Sequence, residues 1–155
     1  MRSLKHITVA LLELIILLSA GSCSDKACYE EMDPLMYTSL LESGTGESKK
    51  ADSVRVIAVT PAGPVTLYKQ NAVTFFTLPL DPANDLSEFY FIVNGVSDTA
   101  VLTYTRHPHL VSAECGYTFL SELTGLRTTH NIIDTLIIEN KSVNLDGEKN
   151  LRLFY

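Results

Sequence analysis

The sequence predicts an all-β protein, an antiparallel β-sandwich of the immunoglobulin-like or a related type with about seven to nine strands. Two observations favour this class. Short runs of β-branched and aromatic residues recur from position 53 onward, with Pro, Gly, Asn and Asp between them. Within several runs apolar and polar residues alternate, which is the period of a half-buried strand rather than of a helix.

The predicted strands follow one another along the chain, separated by turn-forming residues. They cover residues 53–60, 65–69, 72–78, 87–94, 99–106, 117–120, 131–139 and 150–155. In the strand over 87–94, Phe89, Phe91 and Val93 share one face, which we expect to be buried. Residues 95–98 have the spacing of a hairpin connection to the next strand.

Residues 1–22 have the three-part composition of a signal peptide, whose apolar helix is expected to precede the domain. Arg2 and Lys5 form a positive start, an apolar stretch runs from Ile7 to Ala20, and small residues follow. This stretch is shorter than the ~20 residues of a transmembrane helix and contains an acid, so export is favoured over membrane spanning.

The residues from 17 to 23, Leu-Leu-Ser-Ala-Gly-Ser-Cys, resemble a bacterial lipobox. Cys23 is therefore predicted to be the lipidated first residue of the mature protein. Ordinary secretion, with Cys23 as a structural thiol, is the alternative.

The cysteine count supports lipidation. The sequence contains three cysteines, and an odd number leaves one thiol unexplained in an exported protein. With Cys23 acylated, Cys28 and Cys115 remain for a disulfide in an oxidising compartment; two buried free thiols are the alternative. The five residues from Cys23 to Cys28 reach at most about 17 Å, so a disulfide would hold the domain close to the bilayer.

This assignment divides the chain into a signal peptide at 1–22, a tether at 23–27 and one domain at 28–155. The segment 33–42 is ambiguous, because Asp33 and Pro34 could begin a helix. We predict a first strand there, since Cys28 must reach Cys115 across a sheet.

Composition excludes some classes of function. The formal net charge of −6 disfavours binding to nucleic acid and to membranes through basic residues. The chain has no tryptophan, which weakens a carbohydrate-binding interpretation. Such a role would require Tyr68, Tyr90, Tyr104 and Tyr117 to gather on one exposed face.

No catalytic or metal motif stands out. His107 and His109 could share a metal ion from an extended segment, but no third ligand follows from the spacing, and a polar loop is favoured. Asp81 and Asp85 lack the acidic spacing and the glycine of a calcium loop. Ser112 has no G-x-S-x-G context, although Glu114 and His109 are near it in sequence. We expect no cofactor and no enzymatic activity.

Several stretches together resemble an uncharacterised family of small Bacteroides-type lipoproteins, known only as a domain of unknown function. They are Cys23 with Cys28, then 78–82 (LPLDP), 110–116 (LVSAECG), 129–134 (THNIID) and the terminal strand. The resemblance implies a β-rich cell-envelope domain and carries no activity.

The sequence therefore predicts a lipid-anchored outer-membrane protein, facing the periplasm or the cell surface, with a binding or structural role. Its expected partners are the membrane, through the N-terminal lipid, and an envelope protein. A carbohydrate-recognition or uptake accessory lipoprotein is the alternative.

Overall fold

The computed structural model describes residues 28–155, which form ten β-strands and no helix. Their bounds are β1 Leu35–Leu41, β2 Ala51–Thr60, β3 Gly63–Val73, β4 Phe75–Pro79, β5 Leu86–Val93, β6 Val96–Ser112, β7 Gly116–Thr128, β8 Thr135–Ile138, β9 Ser142–Val143 and β10 Lys149–Phe154. The predicted signal-peptide helix, Cys23 and the tether at 23–27 lie outside the described residues. Within residues 28–155, no helix has the length and apolar character needed to cross a membrane.

The strands form two sheets. The smaller sheet has the order β4-β1-β10-β8, and the larger has the order β3-β2-β5-β6-β7-β9. All pairings are antiparallel except that of β1 with β10, which is parallel. The predicted all-β sandwich is confirmed, with ten strands rather than about seven to nine.

The core lies between the two sheets, where alternate residues of each strand meet. Phe89, Phe91 and Val93 are at most 1% exposed, so the predicted buried face of β5 is confirmed. Phe76 of β4 meets Phe91 edge to face, with ring centroids 5.5 Å apart, and this pair joins the small sheet to the large one. Met36, at 0% exposed, contributes to the same core from β1.

Two local predictions around β1 and β5 have different outcomes. The segment 33–42 contains a strand, β1, as predicted. The hairpin turn between β5 and β6 is Asn94-Gly95 rather than 95–98, because Val93 and Val96 already pair. Asn94 and Gly95 both have positive φ, 50° and 84°, as a two-residue turn of this type requires.

The predicted loop around His107 and His109 is wrong. β6 runs to Ser112 and β7 begins at Gly116, so both histidines lie within a strand. This part of the hairpin shows little apolar alternation because it has no neighbour in β5, and backbone pairing with β7 holds it extended.

The predicted strand 131–139 is shortened to Thr135–Ile138 because residues 131–133 bond to a side chain instead of a strand. Asp98 is 1% exposed, and its carboxylate accepts hydrogen bonds from the Thr129 hydroxyl at 2.6 Å and from the backbone N–H groups of Asn131, Ile132 and Ile133 at 2.7, 2.8 and 2.9 Å. Burial acts to raise the pKa of Asp98, but these hydrogen bonds outweigh it and leave the pKa below its ordinary value.

Candidate functional site

One end of the sandwich collects the incoming chain and several connections between strands. Here β1, β3, β5, β7 and β10 begin, while β2, β4, β6 and β8 end, as their pairing requires. Residues 28–34, which we call the strap, enter at this end. We refer to it as the Cys28 end.

The hairpin of β6 and β7 extends past the rest of its sheet at the Cys28 end. The last pair between β5 and β6 joins Leu86 to Thr103, whereas pairs between β6 and β7 continue to Ser112 and Gly116. We call residues 105–120 the overhang. Pro108 can be accommodated in β6 here because an edge that lacks a neighbouring strand tolerates a residue without an N–H group.

The strap ties the overhang to β1. A disulfide joins Cys28 to Cys115 at the tip, with the two Cα atoms 4.8 Å apart, which is the pairing that the cysteine count predicts. Further along, the Thr118 hydroxyl donates to the Met32 carbonyl at 2.6 Å. The incoming chain therefore runs beside β7 from the tip of the hairpin to the start of β1.

Polar contacts with side chains of β6 hold the loop between β4 and β5. The Tyr104 hydroxyl, on a side chain only 2% exposed, donates to the Asp81 carbonyl at 3.0 Å and lies 2.8 Å from the Ser87 hydroxyl. The Arg106 guanidinium pairs with Asp85 at 2.7 Å. The same guanidinium donates to the carbonyl of residue 82. The loop is therefore anchored to β6 at its start and at its end.

The carboxylates of Asp81 and Asp85 both have partners that stabilise the loop conformation. The Asp81 carboxylate accepts from the Asn84 amide and from the Ala83 N–H, each at 2.8 Å. These two hydrogen bonds lower the pKa of Asp81, and the bond from Asn84 has the larger effect. Asp85 is occupied by the ion pair with Arg106.

Two clefts flank the segment 79–82. One, of about 290 Å³, lies between this segment and β2, β3 and β5, and its wall is largely apolar, including Leu67, Leu86 and Phe89. The other, of about 240 Å³, lies between the same segment, the strap and the overhang, where it is lined by Tyr117 and Phe119. Both clefts therefore open at the Cys28 end.

The overhang presents apolar side chains that the core does not cover. Leu110 pairs with Tyr117 across the hairpin, and their side chains are 51% and 70% exposed. Phe119 is 46% exposed, and the Arg106 guanidinium lies 5.9 Å from the centre of its ring. In the strap, Tyr29 is 93% exposed.

The predicted chemical candidates do not form a common site. His107 and His109 are both exposed on β6, opposite Leu120 and Thr118. Among residues 28–155, no three side chains of the His, Cys, Asp or Glu type are grouped to hold a metal ion. The Ser112 hydroxyl accepts a hydrogen bond from the Cys115 N–H at 3.0 Å, so it stabilises the hairpin tip.

The four tyrosines proposed as a sugar platform are scattered. Tyr104 is buried, and Tyr68 is partly buried with its hydroxyl 3.2 Å from Gln70. Tyr90 lies on β5 and Tyr117 on the overhang. The exposed face that the carbohydrate alternative required is therefore absent from these four residues.

Sequence reasoning missed Asp98 and Arg106, and it considered Tyr104 only as part of an exposed sugar-binding face, whereas the side chain is buried. A signal for Asp98 was present, because it shares its strand face with Ala100 and Leu102, and a carboxylate at an inward position needs buried hydrogen-bond donors. Tyr104 occupies the next position on that face. The ion pair of Arg106 depends on the loop conformation and leaves no comparable pattern.

These elements define a β-sandwich domain closed at one end by a disulfide-linked strap and an overhanging hairpin. Residues 53–155 match a family of unknown function, DUF6452, and the chain belongs to that family. The match begins within β2, so β1 and the strap precede it. No curated protein and no solved structure matches the chain.

Proposed function

We propose that this chain is a small Bacteroides-type lipoprotein, anchored through Cys23 to the outer membrane, whose sandwich domain has a non-enzymatic binding or structural role. The observation that carries the proposal is the disulfide between Cys28 and Cys115. It uses two of the three thiols and leaves Cys23, directly after the small residues of the lipobox, as the acyl acceptor.

The disulfide also supports export. Disulfides persist in oxidising compartments such as the bacterial periplasm and are rare in the cytosol. The pair closes a long loop, since its half-cystines are 87 positions apart. A bridge of this kind suits a domain that folds after translocation, in agreement with the signal-like composition of residues 1–22.

The binding part of the proposal is supported by the Cys28 end. Two clefts lie there, and Tyr104 and Arg106 hold the intervening loop in place. A preformed, largely apolar cleft with a few fixed polar groups is the usual form of a recognition site. The scattered tyrosines favour this role over carbohydrate recognition.

Metabolic labelling with an alkyne fatty acid tests the anchor. We expect label on the wild-type chain and none on Cys23→Ser. The matched control, Cys28→Ser, changes another thiol of the same region and is expected to keep the label. Label on Cys23→Ser, or none on the wild type, would contradict the proposal; separating inner from outer membranes then tests the location.

Site-directed photocrosslinking in intact cells tests the binding role. A photoreactive residue at Leu86, in the cleft between the segment 79–82 and β2, β3 and β5, is expected to give a discrete crosslinked product. The control position is Val96, which is similarly exposed (42% against 46%) but lies in the hairpin at the opposite end. Equal yields from both positions would contradict a binding role for the cleft.

A further inference from the structure

Three well-exposed apolar or aromatic side chains surround the disulfide at the Cys28 end. Tyr29 follows Cys28 directly, Tyr117 lies two residues after Cys115, and Leu110 is the cross-strand partner of Tyr117. Their exposures are 93%, 70% and 51%. We call these three residues the tip patch.

The covalent path from the proposed anchor brings this patch to the bilayer. Cys28 lies five positions after Cys23, which allows at most about 17 Å between them. Because the disulfide joins Cys28 to Cys115, the distance from Cys23 to the tip of the hairpin is restricted as well. If Cys23 carries the lipid, as proposed above, the tip of the overhang therefore lies nearer to the membrane than the rest of the large sheet.

The side chains of the patch suit the headgroup layer. Tyrosine has an apolar ring and a polar hydroxyl, and it is enriched at membrane–water interfaces, where the ring contacts lipid and the hydroxyl contacts water. We infer that the tip patch rests in the interfacial layer of the bilayer that holds the acyl chains of Cys23. The occupant of this surface is thus the lipid headgroup region.

The acidic residues near the patch define the preferred lipid. Glu30 and Glu31 are exposed in the strap, directly after Cys28 and Tyr29. Carboxylates are repelled by anionic headgroups, and this repulsion is screened by salt. The contact is therefore stronger with zwitterionic than with anionic lipid, and added salt reduces the difference.

The absence of tryptophan from the sequence makes the contact directly measurable. Tyr117→Trp introduces a single fluorophore in the patch. The control, Val96→Trp, introduces it at an exposed position of the opposite end. Each purified acylated variant is reconstituted in phosphatidylcholine vesicles with brominated acyl chains, after its lipid is verified by intact mass and its fold by circular dichroism.

We expect the fluorescence of Tyr117→Trp to be blue-shifted and quenched by the brominated chains, and that of Val96→Trp to be unaffected. Replacing part of the lipid by phosphatidylglycerol should weaken the quenching at low salt. An acylated Tyr117→Trp protein that is not quenched, or equal quenching of both variants, overturns the inference. A chain without an acyl group instead refutes the lipid anchor, so the two failures are distinguishable.

Discussion

Replacing Asp98 by Asn tests how the segment 129–134 is held. In the wild type, the Thr129 hydroxyl and the Asn131 N–H donate to Oδ1 of Asp98. The amide oxygen of the variant can still accept these two hydrogen bonds. The N–H groups of Ile132 and Ile133 donate to Oδ2 in the wild type. In the variant the amide nitrogen takes the place of Oδ2, so these two N–H groups lose their acceptor. Each unsatisfied buried group costs about 1–3 kcal/mol, so two such groups should lower the free energy of unfolding of Asp98→Asn by about 2–6 kcal/mol.

Urea denaturation at pH 7 measures this loss. Asp134→Asn is the matched control, because it removes an exposed carboxylate at the end of the same segment and should change stability by less than about 0.5 kcal/mol. Equal effects of the two substitutions would refute the assigned role of Asp98.

The pH dependence provides an independent check. The pKa of Asp98 in the folded protein lies below its ordinary value of 3.8. Its contribution to stability is therefore present above that value and is lost as the pH falls through the folded pKa. The stability difference between wild type and Asp98→Asn should be largest near neutrality and decrease at acid pH. A difference that does not change with pH would contradict this reasoning.

Three other predictions concern the Cys28 end. Replacing both Cys28 and Cys115 by Ser should lower the free energy of unfolding by about 4–5 kcal/mol through the lost loop constraint; an unchanged urea midpoint would contradict this. Tyr104→Phe should cost about 1–2 kcal/mol because buried partners lose their bond, whereas Tyr90→Phe should cost little; equal midpoints would show that the hydroxyl of Tyr104 does not stabilise the loop. Arg106→Gln should change global stability by less than about 1 kcal/mol but accelerate amide exchange in the loop at 80–85, and unchanged exchange would show that the ion pair does not hold it.

The sequence predicted the parts of the fold that depend on local alternation. Phe89, Phe91 and Val93 repeat with the period of a strand, and they form the buried face of β5. The Asn94-Gly95 turn was also readable, since this dipeptide is a strong hairpin signal, but the connection was predicted at 95–98, which starts one residue late and is two residues too long.

Pairing of distant strands could not be predicted in the same way. The parallel contact of β1 with β10 joins the first and last strands, and nothing local to either sequence specifies the other. The overhang was missed for a related reason. Apolar and polar residues do not alternate clearly along the overhang, because no second sheet packs on it. Its extended conformation is evident only from the pairing of β6 with β7.

The candidate site was partly predictable. Counting thiols was sufficient to predict the pairing of Cys28 with Cys115, since the predicted acylation of Cys23 would leave no other combination. The clefts were not predictable, because their shape depends on how Tyr104 and Arg106 fix the loop beside them. The metal hypothesis for His107 and His109 rested on their spacing alone, and among residues 28–155 no three His, Cys, Asp or Glu side chains are grouped to hold a metal ion.

Mass spectrometry of the intact protein, extracted from cell envelopes without reduction, tests the central claim most directly. The account predicts a chain that begins at Cys23, carries the mass of acyl groups there, and is lighter by two hydrogens because Cys28 and Cys115 are joined. A chain that retains residues 1–22, or that begins elsewhere without an acyl group, would contradict it.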